Sequence, residues 1–359
     1  MLVKLSLSGT GPAEWLALRS GAVPAAAAEA WGGMALSGVL IAAVRTGMAD
    51  SLARRPSTAA DLAAELGLDP VPTRLLLHCL RSAGHVTLRG GRYRLSRSSR
   101  RWLDPGSPMS VVRFVAATAD YWDWWSGLDA AARDAKPVAH HDALPGDPYW
   151  RRYIYGQLDL ARLSAGEVAR KLRLPAGARS VLDIGGGHGW YSAQLCRQHP
   201  RLTATVLDLP GSAAIGREII AQAGLADRVT FRDGDALTVG LGGGYDAVLC
   251  FNLVHHLAPG QIVRLFGKIR EALAPGGRLA ILDAFADPDR RPSAAADFLA
   301  LFVYLSSGST VASPAQLRGW LSEAGFGAPR RKRVLRIPGE ALYLVSPGPA
   351  TAAAGPPRR

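Results

Sequence analysis

The stretch Val181-Leu-Asp-Ile-Gly-Gly-Gly-His-Gly189 constrains this chain more than any other. Apolar Val181, Leu182 and Ile184 flank one carboxylate, Asp183, and a glycine cluster follows at once. Trp190–Arg197 then reads as helix. Strand, tight turn, helix is the predicted order. Glycine carries no Cβ, so this turn can be sharp and come close to a ligand. The helix start adds unpaired N–H groups and a positive dipole end. The stretch predicts a nucleotide-type ligand site at a strand tip.

From Ser180 onward the chain alternates between the two periodicities. Strands are predicted at 180–184, 203–207, 229–232, 247–251, 278–283, 332–337 and 341–345. Helices are predicted at 189–198, 212–223, 260–273 and 314–325. This is the pattern of an α/β, Rossmann-like, doubly wound sheet. Only Pro338-Gly-Glu340 separates the last two strands. A parallel pair needs a crossover, so these two are predicted antiparallel.

Upstream, residues 1–23 hold Gly9, Gly11, Pro12 and Gly21 and are expected to form a flexible arm. Residues 24–107 read as helix, turn, helix and hairpin, a mainly helical winged-helix module, with Ser57 as a helix cap and Gly90-Gly91 at the hairpin turn. A winged helix invites a DNA-binding reading, but the second helix opens Pro70-Val-Pro-Thr73 and offers little hydrogen bonding to bases. Residues 108–175 form a predicted helical segment rich in large aromatics. Trp125, Tyr149, Trp150 and Tyr153 there, with Phe298 and Phe302 later, suit core packing or a flat pocket for a ring-shaped ligand. Residues 176–347 make the ligand-binding domain, and 348–359 a disordered tail.

Charge decides little. The formal net charge is +13, yet 37 of the 42 basic residues are arginine and they are scattered, as a GC-rich coding bias produces. No nucleic-acid partner is expected from it. Cys79, Cys196 and Cys250 lie far apart in apolar contexts, without metal-ligand spacing. A reduced, cytoplasmic setting follows. His140-His141 shows no ligand spacing either, and no metal is expected. The apolar run near 35–44 is too short to span a bilayer, so no membrane partner is expected.

The identity of the nucleotide can be argued. A dinucleotide fingerprint beginning at Gly185 needs its last glycine where Trp190 stands. Asp183 would repel a diphosphate but suits a cationic amino-acid group. The second strand ends in Asp208, placed for the two hydroxyls of a ribose. Gly234-Asp235-Ala236 follows the third strand, placed for an adenine edge. Aminoacyl group, ribose and adenine without phosphate describe S-adenosylmethionine.

These motifs carry a specific resemblance. Leu182–Gly189, Leu207-Asp-Leu-Pro210, Gly234-Asp235, Tyr245-Asp-Ala-Val248 and Pro275-Gly-Gly-Arg-Leu279 resemble the S-adenosylmethionine-dependent small-molecule O-methyltransferases. That family includes caffeic-acid and acetylserotonin methyltransferases and bacterial polyketide-tailoring enzymes, and its N-terminal winged helix serves dimerisation. The likeness runs from about residue 30 to residue 347.

The resemblance implies a homodimer acting on a hydroxyl of an aromatic or polyketide-like molecule, with S-adenosylhomocysteine as second product. Asp183, Gly185 and Gly187 would hold the aminoacyl end. Asp208 would take the ribose, Leu209 would lie against the adenine, and Asp235 and Ala236 would address its edge. Phe251 and Asn252 fall in the cofactor-contacting segment after strand four. His255 falls on the catalytic histidine and Asp283 on its supporting acid. His256 stands where plant members have Asp. A second supporting Glu falls near Val311, Phe251 replaces a Lys, and Leu257 replaces a Trp. These departures place the chain with bacterial natural-product enzymes. Relatives that methylate carbon or nitrogen, members repurposed for another reaction, and a regulator that senses S-adenosylmethionine stay open as alternatives.

Overall fold

The computed structural model describes residues 11–136, 143–286, 294–337 and 339–348. The His140-His141 pair and all but the first residue of the predicted tail lie outside them. The chain divides into two compact units. One takes in the described residues up to Ser126 together with Tyr155–Arg162. The other takes in Gly127–Ile154 and everything from Leu163 onward.

The N-terminal unit opens with α1 (Pro12–Ser20) and α2 (Ala25–Arg45). The arm expected at 1–23 therefore contains a helix, with Pro12 at its first turn, where proline costs no hydrogen bond. Helix α2 is longer than the apolar run that the sequence suggests. At 21 residues it is long and apolar enough to cross a membrane by length and composition. Trp31, Met34 and Leu36 on it are exposed.

Helices α3 (Met48–Arg54), α4 (Ala59–Leu66) and α5 (Pro70–Ser82) follow, then strands β1 (Val86–Arg89) and β2 (Arg92–Leu95) as a hairpin, and α6 (Arg97–Leu103). Met48, Leu52, Leu62, Leu77, Val86 and Leu95 form their shared core. The cap of α4 is Thr58, whose hydroxyl takes the Asp61 N–H, rather than the predicted Ser57. Ser57 is buried and bridges Tyr93 of the hairpin instead. Short helices α7 (Val112–Ala117) and α8 (Trp122–Ser126) complete this stretch.

The C-terminal unit begins with α9 (Leu128–Asp134) and the 25-residue α10 (Pro148–Leu172), whose middle belongs to the N-terminal unit. Asp147 caps α10 and Pro148 starts it. A seven-stranded sheet then forms: β3 (Ser180–Ile184), β4 (Thr203–Asp208), β5 (Val229–Asp233), β6 (Tyr245–Phe251), β7 (Leu273–Ala284), β8 (Arg330–Arg333) and β9 (Glu340–Val345). Its order is β5-β4-β3-β6-β7-β9-β8. The first five strands in that order run parallel, and β9 is antiparallel to both β7 and β8. The strand predicted at 332–337 is shifted back to Arg330–Arg333.

Helices α11 (Trp190–Gln198), α12 (Pro210–Gln222), α13 (Pro259–Ala272), α14 (Ala294–Ser307) and α15 (Pro314–Glu323) accompany the sheet. The central strands β3, β6 and β7 are mostly buried along both faces, as expected where helices cover a parallel sheet. Leu182, Ile184 and Val248 pack with Leu265, Phe266 and Ile269 of α13 and Leu317 of α15. Ligand chemistry in such a sheet collects beyond the carboxyl ends of the parallel strands.

Candidate active site

The glycine turn joins β3 to α11. Gly185, Gly187 and Gly189 all adopt left-handed backbone, with φ of 66°, 48° and 65°. Side chains other than glycine's disfavour that region. Gly186 is required for space instead: a Cβ there would lie 2.6 Å from Asp183 Cγ. His188 Nδ1 accepts the Trp190 N–H at 3.0 Å and so caps α11 from within the turn.

Asp183 lies beneath this turn rather than in it. It is 1% exposed, and its Oδ2 accepts the Ser192 hydroxyl at 2.7 Å. Its Oδ1 is buried without a hydrogen-bond partner. Burial pushes its pKa up to about 7, with Asp208 adding to the effect against the Ser192 bond. A carboxylate so starved of solvent attracts a cation near the turn.

Asp208 ends β4 and ties two elements together. Its Oδ2 accepts the Gly187 N–H at 2.6 Å and its Oδ1 accepts the Leu209 N–H at 2.7 Å. Burial raises its pKa to about 6 against these bonds. Ser212 supplies a third hydrogen bond, so the carboxylate keeps acceptor capacity for a further donor. At the next strand end Asp235 is exposed and Oδ1 accepts the Leu237 N–H, which closes the turn carrying Ala236. Lys268 on α13 clamps that turn: its Nζ donates to the carbonyls of Ala236, Leu237 and Val239. Sequence patterning offered no sign of that lysine.

Three left-handed glycines, a backbone N–H held by Asp208 and the buried Asp183 carboxylate, one oxygen of which has no hydrogen-bond partner, make a cradle of negative character. It suits S-adenosylmethionine, which carries an ammonium, a sulfonium and a ribose diol.

Beyond β6, Asn252 also has positive φ, at 51°. Its N–H donates to the Leu282 carbonyl at 2.7 Å, which anchors the kink to β7. A short helical turn, Val254–His256, follows. Phe251 is buried at the end of β6, edge-to-face on Tyr191 of α11 at 5.0 Å.

The kink delivers His255 to Asp283 at the end of β7. His255 Nδ1 and Asp283 Oδ1 are 2.5 Å apart, and both residues are buried. Asp283 Oδ1 also accepts the Ala284 N–H at 2.7 Å. Burial lowers the His255 pKa, but the Asp283 charge and hydrogen bond outweigh it, Glu340 adds to them, and the net shift is upward. Glu340 opens β9 and pairs with Ala284 in the sheet. Its Oε2 is buried without a partner, and burial followed by Asp283 pushes its pKa up to about 8. Glu340 on β9 is thus a second acid whose charge acts on His255, whereas the family's second Glu position falls near Val311, in the connection between α14 and α15. Its sequence position, in the turn of a hairpin, concealed it.

The predicted aromatics scatter. Trp150 is buried on Gly211 of α12, and its Nε1 donates to the Ala143 carbonyl at 3.1 Å. Tyr153 stacks on Tyr149 with centroids 5.4 Å apart. Trp125 is partly exposed in the other unit. Phe298 and Phe302 ride on α14, the helix that also brings Ser307 to His256. Phe298 is exposed.

Comparison with known proteins agrees with this architecture. An O-methyltransferase dimerisation domain matches residues 28–105 and an O-methyltransferase domain matches residues 145–327. The 3-hydroxy-5-methyl-1-naphthoate 3-O-methyltransferase of Streptomyces sahachiroi is 30% identical over 82% of this chain and 87% of its own length. The N,N-dimethyltransferase OxyT of Streptomyces rimosus is 29% identical over 85% of this chain and 91% of its own. Human N-acetylserotonin methyltransferase, solved in complex with S-adenosylmethionine, shares the fold with a TM-score of 0.80 at 20% identity, over 96% of this chain and 100% of that one. Two domain models matched in order, and a relative aligned across most of both chains, make this chain a member of the S-adenosylmethionine-dependent O-methyltransferase family.

Proposed function

We propose that this enzyme methylates a hydroxyl group on an aromatic, polyketide-like small molecule, with His255 as the general base. The observation that carries the reading is the buried His255–Asp283 pair, set one strand away from the glycine cradle. Bound S-adenosylmethionine supplies a methyl group on a sulfonium, which leaves as a thioether.

The protein's part is to place the acceptor oxygen and take its proton. A phenol with a pKa near ~10 is mostly protonated at neutral pH, so proton removal during attack lowers the barrier. Neutral His255 accepts that proton, and Asp283 steadies the resulting imidazolium. The cradle residues Gly185, Gly187 and Asp208 would hold the aminoacyl and ribose parts. Leu209, Asp235 and Ala236 would face the adenine, and Asn252 the segment beside it. Asp183 would act from beneath, through its charge. Phe298 and Phe302 on α14 are the aromatics we assign to the acceptor side.

The aromatic hydroxyl is favoured by the naphthoate O-methyltransferase relative. The N,N-dimethyltransferase relative favours a second reading, an amine acceptor. An amine attacks as its free base and leaves His255 dispensable. The test is His255→Ala, assayed with labelled S-adenosylmethionine on hydroxyaromatic and aminoaromatic acceptors. Turnover on the hydroxyl should fall by about a hundredfold or more with cofactor affinity retained. Undiminished turnover on the hydroxyl would overturn the base assignment, and turnover confined to the amine and undiminished in the variant would select the amine reading.

We also propose a cytoplasmic homodimer built on the N-terminal unit. The dimerisation domain match and the exposed Trp31, Met34 and Leu36 of α2 support it. The opening turn of α5 is Pro70-Val-Pro-Thr73, with Val71 exposed and Thr73 buried, which disfavours reading of DNA bases there, although Arg74, His78 and Arg81 are exposed further along. Light scattering on wild type and Trp31→Glu should give dimer and monomer.

A further inference from the structure

Both ring nitrogens of His255 are engaged. Nδ1 faces Asp283 and Nε2 lies 3.0 Å from His256 Nε2. The file continues outward. His256 Nδ1 is 3.2 Å from Ser307 Oγ, and that hydroxyl is 2.9 Å from the Val303 carbonyl. A buried carboxylate, two imidazoles and a hydroxyl thus stand in line from β7 to α14.

Protons can be placed on this file in two ways. Asp283 Oδ1 already accepts the Ala284 N–H, so it is an acceptor and His255 Nδ1 donates to it. In the first arrangement His255 is neutral. Its Nε2 lone pair accepts from His256 Nε2–H, and His256 Nδ1 accepts from the Ser307 hydroxyl. In the second, His255 carries a proton on Nε2 and donates it to His256 Nε2. His256 Nδ1–H then donates to Ser307 Oγ, and the Ser307 hydroxyl donates to the Val303 carbonyl. Each ring nitrogen is matched in both. The two arrangements differ by one proton.

The second arrangement is the state that base catalysis leaves behind. Nε2 of neutral His255 has one lone pair, so an acceptor hydroxyl can use it only while the His256 contact is open. The proton then resides on His255. Among the described residues, Asp283 on β7, in contact with His255, and Glu340 on β9, through its charge, favour the charged form of His255. The proton therefore departs slowly unless a path is built for it.

We propose that His256, backed by Ser307, is the exit for the abstracted proton and resets His255 between turnovers. His255 Nε2 passes its proton to His256 Nε2, and His256 Nδ1 releases its own toward Ser307 and solvent. One proton enters from the acceptor hydroxyl and one leaves at the Ser307 end. Both rings end neutral, in the first arrangement. His256 acts through His255 and is a positioning residue in this scheme, which rests on His255 being the base.

The test is His256→Gln, which retains an amide but cannot relay a proton, assayed with a hydroxynaphthoate acceptor and labelled S-adenosylmethionine. Rapid quench should show a first turnover within about twofold of wild type, followed by a steady state slower by about tenfold or more. Added imidazole should restore the steady state. Ser307→Ala should show the same burst in weaker form and guards against misfolding of the first variant. A steady state unchanged in both variants overturns the proposal. So does an equal loss in both phases that imidazole does not repair, since that marks a structural role. His255→Ala separates the failures: a wild-type first turnover there refutes the base itself, and the exit with it.

Discussion

His255 stands just past β6 and Asp283 at the end of β7, and a 2.5 Å contact joins Nδ1 of one to Oδ1 of the other. Neighbouring parallel strands bring them together across 28 residues of sequence. Strand pairing thus fixes the tautomer of the base. Nδ1 must carry a proton for the carboxylate, which leaves Nε2 to do chemistry.

Asp283→Asn separates the roles of that contact. Burial alone would lower the His255 pKa, and the Asp283 charge is the largest influence that reverses it. In the proposed mechanism the working form is neutral, so activity should rise with pH as His255 loses its proton. Removal of the charge moves that acidic limb to lower pH. The plateau nevertheless falls, by about a hundredfold or more, because the imidazolium loses its partner and the tautomer is no longer enforced. A kcat profile across the neutral range reads both effects. A limb that stays in place would show that Asp283 does not set the titration.

Much of this was legible in the sequence, for physical reasons that differ by element. Strand β3 announces itself because a strand buried on both faces must be apolar throughout, and Val181, Leu182 and Ile184 are. The β8–β9 hairpin follows from a connection too short to cross over. Glu340 and Ser307 were not legible. Their relation to His255 and His256 depends on sheet register and on the placement of α14, which no local spacing encodes. The setting of Trp150 was not legible either, for a related reason. An aromatic that fills the space above Gly211 and one that lines a pocket have the same composition signal, and only packing separates them. Helix α1 is hidden by the glycines around it, which cap a helix as readily as they loosen a chain.

Asp183 makes the empty enzyme sensitive to alkali. Unfolded, it ionises near its ordinary value of 3.8; folded, burial holds its proton until about pH 7. Between those values the folded chain keeps a proton that the unfolded chain has lost. Stability therefore falls as pH rises through this window. Asp183→Asn removes the penalty. Without cofactor, the variant should be more stable than wild type at mildly alkaline pH, by an amount on the order of a few kcal/mol, and little different near pH ~4. Its affinity for S-adenosylmethionine should drop, since the charge beneath the turn is gone. Thermal melts at the two pH values, with and without cofactor, check both. Equal melting of both proteins at alkaline pH would mean that Asp183 is ionised at no cost.

Gly216→Ala sets helix propensity against packing. Alanine in a helix interior is worth about 1 kcal/mol over glycine. At Gly216, however, a Cβ would come within 2.3 Å of the Gly187 carbonyl oxygen and 2.4 Å of the Phe231 ring. Backbone cannot yield as a side chain can, so the clash should win by about 1–3 kcal/mol and distort the cradle. Gly267 on α13 is the control, because a Cβ there meets nothing within 4 Å. Gly267→Ala should stabilise the protein and leave binding alone. Denaturant midpoints and cofactor titrations distinguish the two, and a stabilised Gly216→Ala would show that α12 can shift away from the turn.

Lys268→Met tests whether the turn after β5 is held by its clamp or by its own sequence. Nζ donates to Ala236 and Val239 carbonyls at 2.7 Å each and to Leu237 at 3.1 Å, all from half-buried surroundings. Methionine keeps the length of the stem and removes the donors. Hydrogen bonds from a charged group contribute about 1.5–3 kcal/mol each to such a contact, though three on one ammonium do not add in full. The turn proposed to face the adenine should therefore loosen while the His255 end is untouched. The dissociation constant for S-adenosylmethionine should rise about tenfold or more, with kcat at saturating cofactor nearly unchanged, as expected when ground state and transition state lose the same binding. If kcat fell together with affinity, the influence of the clamp would extend beyond the adenine turn to the reacting groups.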